Sequence, residues 1–181
     1  MCYRRGRQIE RISIMTSVLQ LTRKMVERPV PTKVAGVHLR NYQGPQDIEV
    51  WLDLRRRAFA RQQLGVRDWH AAEFEREFLE KSWWQPGGMW FAESQPLLMP
   101  SSPVGSVTLA RRGEGNESKP VVHWLLVLPK FRNRGIGRLL MATLEAAAWD
   151  SGGRQVWLET HVQWAEAARL YQALGYRPVD E

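Results

Sequence analysis

Residues 121–140 read VVHWLLVLPKFRNRGIGRLL, and no other stretch constrains the fold so tightly. The first eight are almost all apolar and rich in Val and Leu, the composition of a strand buried on both faces and hence central in a sheet. Pro129 ends it, because proline cannot donate to a central ladder. Ile136, Leu140, Thr143, Leu144 and Ala147 then recur at helical spacing. Between strand and helix lies a basic loop punctuated by Gly135 and Gly137. In such a loop successive amides turn into one concavity at the positive end of the helix, the geometry that holds phosphate. Arg132, Arg134 and Arg138 add formal charge around it.

Two common phosphate loops are excluded by residue identity. A dinucleotide turn needs a third glycine where Leu140 stands, and a P-loop needs Lys-Ser or Lys-Thr where Arg138-Leu139 stands. The pattern that does fit is Arg132-x-x-Gly135-x-Gly137, preceded by Val127-x-Pro129. Residues 154–160 form a second apolar strand-like run, and residues 164–174 a helix carrying Ala167 and Tyr171 and followed by Gly175 and Tyr176, in the order Ala-x-x-x-Tyr-x-x-x-Gly-Tyr. With both motifs in place, the chain resembles the GNAT superfamily of acetyl-CoA-dependent N-acetyltransferases. Trp157-Leu158-Glu159 is most similar to the branch that acetylates the N-terminal amine of ribosomal proteins.

The resemblance implies an α/β fold with a mixed, mostly antiparallel sheet of about six strands, helices on both faces and a shortened C-terminal end. It implies acetyl-CoA as acetyl donor, with the cofactor held by Leu125, Leu126 and Val127 on the central strand and by Arg132, Asn133, Arg134, Gly135, Ile136, Gly137 and Arg138 in the loop. A main-chain amide of Leu126 or Val127 would polarise the thioester carbonyl. Two departures stand out. The family places Asn where Trp164 stands, so that residue's contact with the cofactor arm is not carried over. The family also closes with two strands after the tyrosine helix, whereas only residues 177–181 remain here. The last strand is therefore absent, cut off, or supplied by a second copy of the chain at an open edge, which makes a homodimer one expectation.

Acetyl transfer to an amine needs a base for the amine, polarisation of the carbonyl and a proton for the leaving thiolate. Glu159 is the first candidate base, since desolvation within an apolar strand would raise its carboxyl toward a useful range. The plainer alternative is a glutamate at the sheet's exposed end or paired with an arginine such as Arg154. His123 is the second candidate, because an imidazole titrates near neutrality, and Glu93 is a third. Tyr171 is the candidate acid, set against a purely structural role on the buried face shared by Ala167, Leu170 and Leu174. Trp69, Trp83, Trp84 and Trp90 either line an acceptor pocket or fill the core. No metal site is expected, the single Cys2 offering neither a disulfide nor a cysteine cluster.

Charge refines the domain reading. Residues 1–35 hold eight Lys/Arg against two Glu, so six of the seven net positive charges lie there. They read as a disordered basic extension or the product of an upstream start, with Met15 or Met25 as the true beginning, and residues 36–181 as the acetyltransferase-like domain. Nucleic acid is not the expected partner, because the rest is nearly neutral. The acceptor is an amine-bearing small molecule or protein, with no membrane involvement and a cytoplasmic setting. A rival reading keeps the acyl-CoA site without catalysis, as a binding or interaction module with a basic arm. The expected element order is a strand at 37–42, helices at 47–61 and from Asp68, strands at 89–93, 104–111 and 121–128, then helix, strand, helix and a remnant strand.

Overall fold

A computed structural model describes residues 18–60, 68–95, 100–113, 115 and 118–179. The expected loop at 61–68, the proline-rich 95–103 segment and the turn at 112–120 fall wholly or partly outside the described residues. So do the first seventeen positions of the basic extension.

Seven strands form one mixed sheet among the described residues, in the order β2-β3-β4-β5-β6-β1-β7. They are β1 (Val18–Lys24), β2 (Val37–Asn41), β3 (Met89–Ser94), β4 (Ser102–Arg112), β5 (Lys119–Val127), β6 (Gln155–His161) and β7 (Arg177–Pro178). The helices are α1 (Gln46–Phe59), α2 (Ala71–Phe74), α3 (Ile136–Asp150) and α4 (Ala165–Ala173), and α2 runs on into a π-helical turn at Glu75–Leu79. β5 is central, as its apolar run requires. Both α1 and α3 pack on β4 and β5, burying Trp51, Leu54, Leu126, Leu140 and Leu144 to below 2% exposure. That apolar burial is the main stabilising term of the fold. Among the described residues no helix is long and apolar enough to cross a membrane.

The expectation of a disordered extension through residue 35 is corrected. Val18–Lys24 is a strand inside the sheet, paired antiparallel with β6 along its whole length from Val18↔His161 to Lys24↔Gln155. Its other edge pairs with β7 through Leu21↔Pro178 and Thr22↔Arg177. Leu21 is buried, and so is Met25, whose amide donates to Arg154 O at 2.8 Å. The position between β6 and β7 is thus filled from the N-terminal side of the same chain, and the sheet of about six strands expected from the resemblance has seven among the described residues. The sheet needs no second copy to fill that position.

Smaller corrections have local causes. The helix after Trp69 begins at His70, not at Asp68, because Glu73 reaches back to accept from the His70 amide at 2.9 Å. The arginine that interrupts the apolar stripe of α1 is Arg55. It is buried, with its guanidinium 4.3 Å from the Trp69 ring centroid and 5.0 Å from that of Trp124, a cation–π arrangement that offsets part of its desolvation.

Candidate active site

β5 and β6 are parallel neighbours, paired only at Val121↔Trp157. Beyond that point they part. β5 also carries a bulge against β4: Ser106 pairs with Leu126 and Thr108 with His123, so Trp124 and Leu125 together oppose Val107. Trp124 sits at φ +51°, an uncommon conformation for a bulky residue and a typical device for re-aiming side chains beside a site. A cleft of about 1050 Å³ opens here, walled by β5, β6, α3, α4 and the end of α1.

The glycine loop lies at one end of this cleft. Asn133 at φ +60° and Gly135 at φ +84° both occupy the left-handed region, and the first turn of α3 that follows them lines the opening through Gly137 and Arg138. The first bond inside α3 is donated by the Leu139 amide to Gly135 O at 2.9 Å. The amides of Ile136, Gly137 and Arg138 precede it, and no side chain caps them. Open first-turn donors at the positive end of a helix dipole form an anion site.

Ten of the fourteen candidate catalytic and cofactor residues singled out from the sequence line this one cleft: His123, Leu125, Val127, Arg132, Asn133, Gly135, Gly137, Arg138, Glu159 and Tyr171. The side chains of Leu126 and Ile136 instead point into the core, at 1% exposure each. These two residues present only backbone to a ligand. Arg134 stands outside, its guanidinium 5.3 Å from the Phe131 ring centroid. The Arg132 guanidinium is committed to the protein, donating to Glu166 at 2.7 Å, Ala58 O at 3.0 Å and Val127 O at 3.2 Å. It ties α1, β5 and α4 together rather than standing free for phosphate.

The environment expected for Glu159 is overturned. Arg112 donates to both of its carboxylate oxygens, at 2.7 and 3.2 Å, and 36% of the side chain is exposed. The Arg112 guanidinium holds the carboxyl below its usual range, outweighing the opposite effect of partial burial. The arginine partner was foreseen, but it is Arg112 rather than Arg154, which lies over the Trp149 ring. Glu93 is likewise tied up, accepting from Arg40 at 2.5 Å and from Ser101 at 2.9 Å, and it does not line the cleft.

His123 lies on the cleft wall with a partner the sequence did not reveal. Its Nε2 is 3.1 Å from Glu77 Oε1, at ion-pair distance though off the line of a straight hydrogen bond. The imidazole holds the Glu77 carboxyl below its ordinary range, against the opposing effect of burial. Phe78 and Trp83 meet the imidazole edge-on, with centroids at 5.3 and 5.5 Å. Glu77 sits in a run of alternating charge at Glu75–Leu79 that reads as a solvated helix face, so only tertiary structure discloses it.

Tyr171 is 6% exposed and faces the cleft. Burial pushes its phenol well above the usual value, so the hydroxyl stays protonated at neutral pH and available as a hydrogen-bond donor. Trp69, Trp83, Trp84 and Trp90 pack on or in the core and do not line the cleft. Its aromatic wall is Phe59, Trp124 and Trp164. Trp164 stacks on Phe59 at 5.4 Å. On the same wall, among the described residues, Trp164 Nε1 and Thr160 Oγ1 are buried without a hydrogen-bond partner, two donors available to a ligand.

Comparison with known proteins agrees with this geometry. The sequence profile of the Acetyltransferase (GNAT) family matches residues 49–176. The chain belongs to that family. Curated relatives of this GNAT chain include mycothiol acetyltransferases from Acidothermus cellulolyticus, 30% identical and aligned over 88% of this chain and 51% of the relative, and from Thermobispora bispora, 30% identical over 82% and 49%. The chain spans about half the length of these relatives. Among solved structures, a GCN5-related N-acetyltransferase from Sphaerobacter thermophilus superposes with TM-score 0.70 at 18% identity, covering 90% of this chain and 48% of that one. The aminoglycoside N-acetyltransferase AAC(6')-Iy, solved in complex with CoA, superposes with TM-score 0.59 at 22% identity, covering 84% and 94%. These likenesses carry the GNAT fold, to which β1 contributes here from the N-terminal side, between β6 and β7.

Proposed function

We propose that this chain transfers an acetyl group from acetyl-CoA to a primary amine that attacks directly while both substrates are bound. The observation that carries the reading is the uncapped start of α3, opening onto the same cleft as Tyr171 and the His123–Glu77 pair. The residues present fit the cofactor. Backbone amides of Ile136, Gly137 and Arg138 would hold its diphosphate, with Arg138 adding charge at the rim. Thr160 and Trp164 would donate to its amide-bearing arm, beside the backbone of Leu125, Leu126 and Val127. When bound, acetyl-CoA supplies the acetyl group as an activated thioester.

The chain's own residues handle the protons. The Glu77 carboxylate faces Nε2 of His123 and favours the tautomer protonated there, which leaves Nδ1 to accept a proton from the amine. Tyr171, kept protonated by burial, supplies a proton to the departing sulfur. Glu159, held by Arg112, serves as an ionised wall of the acceptor end rather than as the base. The base assignment thus moves from the first sequence candidate to the second.

The acceptor classes supported by resemblance are a protein α-amine, as in the ribosomal-protein branch, and small amines, as the names of the mycothiol and aminoglycoside enzymes suggest. Thiol release from acetyl-CoA against peptides with free α-amines, polyamines and aminoglycosides tests the reading, with calorimetric titration of coenzyme A alongside. Turnover with at least one amine is expected. Binding of coenzyme A without turnover across the panel would favour the non-catalytic module, and no binding at all would remove both.

A further inference from the structure

Glu145 is a carboxylate inside the apolar helix α3, 1% exposed, and the mechanism above makes no use of it. Two groups reach it. The Tyr176 hydroxyl donates to Oε1 at 2.9 Å, and Arg23 of β1 donates to Oε2 at 2.5 Å. Burial pushes the Glu145 carboxyl up, while Arg23 and Tyr176 act in the opposite direction. Tyr176 is itself 0% exposed.

Such a network is a costly way to hold three elements together. A buried ion pair replaced by apolar groups of the same volume usually leaves stability unchanged or improved, so stability alone does not account for it. What the network adds is orientation. Tyr176 is joined to Tyr171 twice: its amide donates to Tyr171 O at 3.0 Å, and its ring meets the Tyr171 ring edge-on at 5.8 Å and 60°. With its hydroxyl anchored on Glu145, the Tyr176 ring has one setting, and the Tyr171 ring packs against that setting.

We infer that Glu145 and Tyr176 are positioning residues, which fix the Tyr171 side chain in the cleft through the Arg23–Glu145–Tyr176 network. Tyr176 touches neither reactant on this account, and Glu145 acts through Tyr176. The inference rests on the reading of Tyr171 as the acid. It also ties the N-terminal strand to catalysis, since Arg23 belongs to β1.

A double-mutant cycle in the full chain tests it, with steady-state kinetics on the best amine and thermal unfolding of each variant. Tyr176→Phe keeps the ring and removes the anchor. It should lower kcat about 5- to 20-fold while KM for acetyl-CoA stays within about 2-fold, the scale of loss for a misplaced catalytic group. In a Tyr171→Phe background the same substitution should cost nothing further, because the hydroxyl it positions is gone. Glu145→Gln keeps an acceptor for Tyr176 and should lose less than Tyr176→Phe. Equal losses from Tyr176→Phe in both backgrounds would show a merely structural role and overturn the inference. So would an unchanged kcat in Tyr176→Phe while Tyr171→Phe is impaired, and in that case the acid reading survives. If Tyr171→Phe itself costs nothing, the acid reading falls and takes this inference with it.

Discussion

Arg112, the last residue of β4, grips Glu159 of β6 with two nitrogens, at 2.7 and 3.2 Å, across the cleft end of the central strand β5. A carboxylate held in this way is a poor base, since its proton affinity is lowered where catalysis needs it raised. Glu159→Gln should therefore reduce kcat/KM less than about 10-fold, short of the loss expected for a general base. Its stability effect has a definite sign. The folded pKa is depressed, so the pair contributes fully above the unfolded carboxylate value of about 4.3 and loses that contribution as pH falls through the lower folded value. With 36% of the side chain exposed, screening limits the contribution at pH 7 to about 1 kcal/mol or less. Urea unfolding of both proteins from pH 7 to pH 3 should show the difference shrinking on acidification.

His123 and Glu77 carry the opposite expectation. His123→Asn should lower kcat/KM by about 100-fold or more, the range for loss of a general base. Glu77→Gln should lower it by a smaller factor, because it removes only the charge that orients the imidazole. Steady-state kinetics of both variants with one saturating amine, alongside thermal unfolding to show that each is folded, check the pair.

How much of this was legible in the chain depends on how local the signal is. The glycine loop and the tyrosine helix were readable because each is a contiguous pattern whose local geometry follows from its own backbone, as Gly135 at φ +84° and the uncapped start of α3 show. Glu77 and Arg112 were not. Each acts on a residue 46 or 47 positions away, and nothing in EFEREFLE or LARRG marks one charge as the one that reaches the site. β1 was missed for a related reason. Leu19 and Leu21 alternate only briefly before Arg23 and Lys24, and pairing across more than 130 positions with β6 makes the strand, not its own propensity. The basic composition of residues 1–35 concealed the buried Leu21.

The placement of β1 has a direct consequence for stability. Leu21 is 4% exposed and lies opposite Leu158 and Pro178. Leu21→Ala should cost about 2–4 kcal/mol, the range for emptying a packed core position. A chain beginning at Met25 loses the strand that joins β6 to β7 and should not give a cooperative unfolding transition, whereas one beginning at Met15 retains it. Calorimetry of the two truncated chains separates them. Equal cooperativity would mean that β1 does not belong to the folding unit.

Two glycines in the same backbone conformation separate anion binding from strain. Gly135 at φ +84° opens the anion loop, and Gly152 at φ +88° follows the far end of α3. A side chain at either would be held in the left-handed region, at a cost of about 1–2 kcal/mol. Gly152 has nothing within 4 Å of an added Cβ, and Gly135 meets only Val34 Cγ2 at 3.4 Å, so steric penalties should be small and similar. Gly135→Ala and Gly152→Ala should lower stability by comparable amounts in denaturant titrations. Only Gly135→Ala should also weaken coenzyme A, by about 10-fold or more in calorimetric Kd, because relaxing its strain turns the amides of Ile136 and Gly137 away from the diphosphate. Equal weakening by both variants would mean that global stability, rather than the geometry of this turn, governs the affinity.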